Sequence, residues 1–281
     1  MGNFIFSLFR ALSHIPLPLM QRVGAGLGWL VWLLSPTYRR RLEANAQAAG
    51  FTPAQYRGSV AAMGALVGEL PWLWMRPAGA SVLHRVEWHG EAALEHVLQS
   101  KKGAIVITPH LGCWEMVGQA LGERYLAEYG AMSALFRPAR KAWLAALVAQ
   151  SRNRPFLQMF PTGFTGVRNL LRALKNGGYV CVLPDQVPPA GLGVWANMWG
   201  RPAYTMTLVS RLAEQSGAPV VSCWCERLGF TGRYRIHLEL VNHVDTPEAL
   251  NQHIEKLITH RPDQYLWSYA RYKQPKVTAS P

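Results

Sequence analysis

His110 and Glu115 are residues whose types could perform acid–base chemistry together. His110 follows Ala104-Ile105-Val106-Ile107-Thr108, a short, continuous, apolar and β-branched run, which is the signature of a buried central strand. Pro109 stops the run, and Leu111-Gly112-Cys113-Trp114-Glu115 carries the chain into a helix candidate. Beyond the carboxyl end of a strand in an open α/β sheet is where active sites gather. A histidine acting as a base needs a partner that fixes its tautomer and stabilises its cation, and a carboxylate does both. A five-residue step does not bring two side chains to one helix face. Pairing of His110 with Glu115 therefore requires His110 to sit on the loop, which Pro109 and Gly112 permit. The same residues are served equally well by a structural histidine at a helix start and a carboxylate favoured there by the helix dipole. Asp185 follows a second apolar run and so also stands at a strand's carboxyl end. It could bind a hydroxyl, support His110 from behind, or close a turn. Cys113 lies between the pair; a Cys–His nucleophile is the sharp reading and a packed thiol the one preferred. The chain has no G-x-S-x-G elbow, and His84, His89 and His96 lack ligand-like spacing with any cysteine, so no metal site is expected.

The elements that must position these groups alternate along the chain. Helix candidates are 42–75, Glu91–Gln99, Trp114–Tyr129, Ala142–Arg152, Val167–Lys175, Thr205–Gln215 and Pro247–Thr259. Strand candidates are Val82–Trp88 at an edge, Ala104–Thr108, Ala131–Phe136, Tyr179–Leu183, Pro219–Cys225 and Tyr234–Leu240. Strands separated by helices of this length predict an α/β fold, a mixed, mainly parallel central sheet flanked by helices. The stretch 187–199, with Pro188, Pro189, Gly191 and Gly193, reads as a long binding loop or lid. Arg201 and Thr205 close it, Thr205 as an N-cap.

The chain of 281 residues is long enough for one large domain. Charged residues make up 16% and hydrophobic ones 49%, and Lys+Arg outnumber Asp+Glu by 29 to 16, a formal charge of +13. A chain so basic seeks something acidic. Eleven tryptophans favour an anionic membrane surface over nucleic acid, for which no recognition motif is present. The four cysteines form no CxxC pair and read as reduced thiols. Residues 1–37 are mostly apolar but interrupted by Arg10, Arg22, Pro16 and Pro18, and Arg39-Arg40-Arg41 follows. They read as a membrane-associated helix, either a tilted anchor or one lying in the interface, with cytoplasmic basic residues beyond it, the competing reading being a long apolar helix buried in the core. A single domain then occupies 38–281.

TPHLGCWE (108–115) resembles the first block of the glycerolipid acyltransferase superfamily, a His followed by Asp or Glu. FRPARK (136–141), GVRNLLRALKNGG (166–178), LPDQVPPAGLGVWANMWGRPAYT (183–205) and RPDQYLWSYARYK (261–273) resemble one branch, the lipid A late acyltransferases (lauroyl/myristoyl transferases) of Gram-negative bacteria. Met198-Trp199 stand where that family often has two aromatics. The resemblance covers nearly the whole chain. It implies a glycerolipid acyltransferase-like fold at the cytoplasmic face of the bacterial inner membrane, and transfer of a fatty acyl group from an acyl carrier protein thioester to a hydroxyl of a lipid A precursor, a phosphorylated glycolipid of lipopolysaccharide biosynthesis. His110 would be the general base, Glu115 its partner, and no acyl-enzyme would form. Arg137, Arg168, Asp185 and Arg201 are the candidates for substrate binding; an Arg fork suits phosphate. No cofactor is implied beyond the thioester donor. A glycerophospholipid or amino-acid lipid acceptor, or a non-catalytic protein binding anionic lipid, are the competing expectations.

Overall fold

The computed structural model describes residues 2–77, 79–136, 148 and 154–276. The apolar run forms β2 (Ala104–Ile107), whose four side chains are wholly buried. Ala104 and Val106 face a core shared with α6 (Glu91–Gln99) and α7 (Trp114–Tyr129). Ile105 and Ile107 face a second core built on α8 (Phe164–Lys175), α9 (Leu208–Ser216) and α10 (Pro247–His260). Burial on both faces is why the strand is continuously apolar rather than alternating, and each such Ile or Val contributes about 1.5–3 kcal/mol.

The sheet has seven strands among the described residues, in the order β1 (Val86–His89), β9 (Tyr234–Val241), β8 (Val220–Arg227), β2, β5 (Tyr179–Val182), β3 (Met132–Phe136), β4 (Leu157–Pro161). Neighbours are parallel except β8 and β9. This is the mixed, mainly parallel sheet that the alternation of elements predicts. The strand β4 has no counterpart in the sequence reading, and the helix expected at Ala142–Arg152 lies outside the described residues.

Three expectations fail locally. The helix expected over 42–75 is three pieces, α3 (Pro36–Ala48), α4 (Pro53–Tyr56) and α5 (Gly58–Met75). Gly50, at φ 85°, takes the chain out of α3, and Thr52 restarts it through a reciprocal cap with Gln55. The expected edge strand from Val82 opens as a 3-10 turn, Leu83–Arg85, before β1. The supposed lid is largely a hairpin, β6 (Gly193–Met198) against β7 (Arg201–Met206). Its two-residue turn has positive φ at Trp199 (52°) and Gly200 (70°), as hairpins of this kind need. Trp199 holds that strained conformation while its backbone N–H donates to Glu255 Oε1 at 2.6 Å. Thr205 consequently lies inside β7 and caps no helix.

The amino terminus forms α1 (Gly2–Leu12) and α2 (Leu17–Leu34), the latter long and apolar enough to cross a membrane by length and composition. The α2 helix is pressed into α5. A Cβ on Gly24 would lie 2.3 Å from the Gly64 carbonyl oxygen, one on Gly28 2.4 Å from that of Val60, and one on Gly68 2.2 Å from that of Met20. Two small-xxx-small stripes, Gly24/Gly28 and Gly64/Gly68, thus interlock backbone to backbone. Beside this crossing Gln21 donates to Glu69 Oε1 at 2.7 Å, and the Gly232 N–H donates to Gln21 Oε1 at 2.8 Å. Glu69 is wholly buried and takes Arg227 Nε and Nη2, each at 2.7 Å, and the Tyr234 hydroxyl at 2.9 Å. Burial opposes the Glu69 charge, but Arg227 and these hydrogen bonds outweigh it and hold the carboxyl below its usual range.

Candidate active site

Strands β2 and β5 are parallel neighbours, and the Thr108 N–H donates to the Val182 carbonyl where they end. His110 and Asp185 each lie three residues beyond the last residue of their strands, Ile107 and Val182. The two loops meet there. Asp185 Oδ1 is 2.7 Å from His110 Nδ1, and its Oδ2 accepts the His110 backbone N–H at 2.9 Å. Asp185 is 2% exposed and His110 12%. Burial works against the Asp185 charge, yet His110 and the backbone hydrogen bonds more than compensate and keep the carboxyl below its ordinary value. An ionised carboxylate only accepts, so Nδ1 carries the proton and Nε2 presents its lone pair. That lone pair receives the Gln186 side-chain amide, Nε2 to Nε2, at 3.1 Å.

The loop that carries His110 is fixed from several sides. Gly112 N–H donates to the Gln264 carbonyl, Cys113 N–H to that of Cys225, and Leu266 N–H to that of His110. Gly112 sits at φ 66°, and a Cβ there would lie 1.9 Å from the Cys225 oxygen, so only glycine fits. Trp114 packs edge-on against the imidazole, ring centres 4.8 Å apart.

Glu115 opens α7, half-buried, as the dipole favours. The resemblance implies Glu115 as the carboxylate that orients the imidazole. In the structure the carboxylate hydrogen-bonded to the ring is Asp185, and Glu115 Oε2 instead accepts the Trp74 indole N–H at 3.1 Å. A step of five residues across a loop and a helix start points the two side chains to different partners. Cys113 is wholly buried. Burial first, then the neighbouring Glu69, pushes its thiol well above the usual range, which suits packing and not nucleophilic attack.

The structure disperses the remaining candidates. Arg168 is exposed on α8, in a helix that begins at the carboxyl edge of the sheet. Arg201 stacks its guanidinium 3.7 Å over the Tyr272 ring. Arg137 lies outside the described residues. Two groups escaped the sequence reading. Gln186 stood in the LPDQ stretch with no role, because an amide carries no charge to attract notice. Arg271, buried, donates to the Tyr204 carbonyl at 2.8 Å and the Thr205 hydroxyl at 2.7 Å, tying the β6–β7 hairpin to the site. Its pKa is lowered, by burial first, while Tyr265 and Asp185 oppose that shift. Among the described residues no cluster of three or more His, Cys, Asp or Glu is arranged to hold a metal ion. A cavity of about 400 Å³ lies elsewhere, over β8 and β9, lined by His89, Trp224, Glu226, His237 and His260.

At the carboxyl edge of the sheet, then, a histidine is held by a buried carboxylate with its second ring nitrogen turned toward Gln186. A Haemophilus influenzae protein named lipid A biosynthesis acyltransferase is 24% identical over 266 residues, covering 91% of this chain and 82% of that one. An Escherichia coli K12 lipid A biosynthesis palmitoleoyltransferase is 26% identical over 221 residues, 75% of this chain and 68% of its own, as is a Shigella flexneri lipid A biosynthesis acyltransferase. Residues 3–274 match the sequence family described as bacterial lipid A biosynthesis acyltransferase, and the chain belongs to that family of acyltransferases.

Proposed function

We propose that this acyltransferase moves a fatty acyl group from an acyl carrier protein thioester to a hydroxyl of a phosphorylated lipid A precursor, at the cytoplasmic face of the inner membrane. The observation that carries the reading is the His110–Asp185 pair, which leaves Nε2 as an oriented base. The acceptor hydroxyl displaces the Gln186 amide and gives its proton to Nε2 as its oxygen attacks the thioester carbonyl. The tetrahedral adduct collapses, the carbon–sulfur bond breaks, and the carrier thiolate leaves with the proton from the imidazolium. Asp185 stabilises the transient cation. No protein nucleophile is needed, consistent with the inert Cys113.

Glu115 has one oxygen on Trp74, and its Oε1 has no hydrogen-bond partner among the described residues. In this scheme Oε1 accepts from the acceptor lipid and aims its hydroxyl at His110. Arg168 and Arg201 are exposed or half-exposed cations suited to phosphate, and Arg137 is proposed for the same role from its resemblance alone. The basic chain suits an acidic carrier and an anionic lipid.

The test is transfer from radiolabelled lauroyl- or myristoyl-carrier protein to a tetra-acylated precursor in mixed micelles. Wild type should yield labelled product and His110→Ala none. Product from His110→Ala at a rate near wild type would remove the base. Product on a glycerophospholipid alone would change the acceptor.

A further inference from the structure

The amino-terminal helices expose one apolar face. On α2, Leu19, Val23, Leu27, Leu30 and Leu34 recur at steps of four and three and are 43–74% exposed together with Phe4 and Leu8 of α1. That spacing draws one stripe along the whole helix. The opposite face, Leu17, Met20, Gln21, Gly24 and Ala25, is buried. We infer that α2 sits in the plane of the membrane interface, its stripe facing the lipid and its glycine face locked to the enzyme, and does not span.

Three observations support in-plane seating. The glycine crossing runs from Met20 to Gly28, and α5 on the other side of it belongs to the core, through Val60 at one end and Leu73 at the other. Only the last turn and a half of α2 lies beyond the crossing, whereas a span needs about 20 residues surrounded by lipid. Both ends of α2 return to the same body. Before it, Phe9 of α1 stacks on Trp74 at the end of α5 with ring centres 6.1 Å apart, and after it Leu42 and Ala46 of α3 share a core with Val60. A span would place these on opposite sides of the membrane. Finally, a transmembrane α2 would draw the buried Gln21–Glu69–Arg227 cluster, about one turn inside the start of the helix, toward the hydrocarbon, where charges are costly. Arg22 flanks the stripe and Arg39, Arg40 and Arg41 follow it, placed to meet anionic headgroups.

This inference rests on membrane association and not on the acyl-transfer chemistry. The four native cysteines are buried, and Cys181 has its thiol pushed up to about 12, so single exposed cysteines can be spin-labelled in the native background. The variants are Leu19→Cys, Val23→Cys, Leu27→Cys, Leu30→Cys and Leu34→Cys in the full chain, bound to vesicles of phosphatidylethanolamine and phosphatidylglycerol. Relaxation by oxygen and by a water-soluble nickel chelate reads the depth of each label. All five should lie at one shallow level, roughly 5–10 Å below the headgroups. A depth that runs monotonically through the midplane, with Leu19 and Leu34 near opposite surfaces, would overturn the inference. So would labels that remain aqueous on vesicle-bound protein. Uniform shallow labels on a protein that transfers no acyl group would leave the seating standing and refute the function instead.

Discussion

Asp185→Asn tests the heart of the site with almost no change in volume. The wild-type carboxylate accepts twice, from the His110 backbone N–H at 2.9 Å and from Nδ1–H at 2.7 Å. An amide at this place can keep one of these bonds at most. If its oxygen faces Nδ1, its NH2 meets the backbone N–H, donor against donor. If its NH2 faces Nδ1, the ring proton moves to Nε2 and the base is lost. A hydrogen bond to a charged group contributes about 1.5–3 kcal/mol. Losing one such bond costs about 1.5–3 kcal/mol, or roughly 10- to 10²-fold in rate, and the flipped amide that holds the wrong tautomer costs more. The same exchange in serine protease triads costs about 10⁴. Single-turnover transfer of labelled acyl groups, with His110→Ala setting the floor and circular dichroism checking the fold, measures it. A folded Asp185→Asn enzyme within about threefold of wild type would show that Asp185 contributes less than one ordinary hydrogen bond, and would refute the oriented-base scheme.

Other outcomes follow from the same geometry. Glu69→Gln should cost about 3–5 kcal/mol in a urea titration at neutral pH, because it leaves Arg227 buried without its charge partner. Since the Glu69 carboxyl is depressed in the folded state, that contribution is complete above the unfolded Glu value of about 4.3 and is lost as pH falls through the lower folded value; a gap between wild type and variant that widens in acid would contradict it. Gly64→Ala puts a Cβ 2.2 Å from the Gly24 oxygen and should cost about 1–3 kcal/mol, read as a lower melting temperature and faster proteolysis of the amino terminus. Cys113→Ala should retain transfer, and its loss with the fold intact would restore a thiol nucleophile. Gln186→Ala bares the Nε2 lone pair to water, so the ratio of thioester hydrolysis to acyl transfer should rise; an unchanged ratio would show that the amide shields nothing.

The sequence announces local features and is silent about distant ones. His110 is legible because an apolar run, a proline and a histidine say strand, stop and strand end. Asp185 is legible as a strand-end carboxylate, but its partner stands 75 residues away, and spacing says nothing about which strands will lie side by side. Glu115 drew attention by proximity along the chain, which is a poor guide where a loop turns into a helix. The hairpin after Pro189 was hidden because Trp at a positive-φ turn position carries no turn signal, while its glycines and prolines suggest a loop. The helix over 42–75 was overextended because apolar periodicity resumes on both sides of Gly50 without regard to the turn between. The interlock of the α2 and α5 glycines is likewise a contact between segments about 40 residues apart, which no local pattern announces.

The buried contacts of Gln21 have a consequence for how the chain is made. Its partners Glu69, Gly232 and Tyr234 come 48, 211 and 213 residues later. Chains emerge from the ribosome amino end first, so α2 is synthesised long before the strand that completes its polar contact exists. Its glycine face is unpaired until α5 is made and its Gln21 side chain lacks Gly232 and Tyr234 for most of translation, while a lipid surface is an apolar phase at hand for the stripe throughout. The interface can therefore serve as a workbench on which the first helix waits while α5 and then β8 and β9 arrive to cover its other side. His110 and Asp185 depend on non-local pairing in the same way, so the nascent enzyme has no assembled base to act on a thioester until β5 has closed against β2.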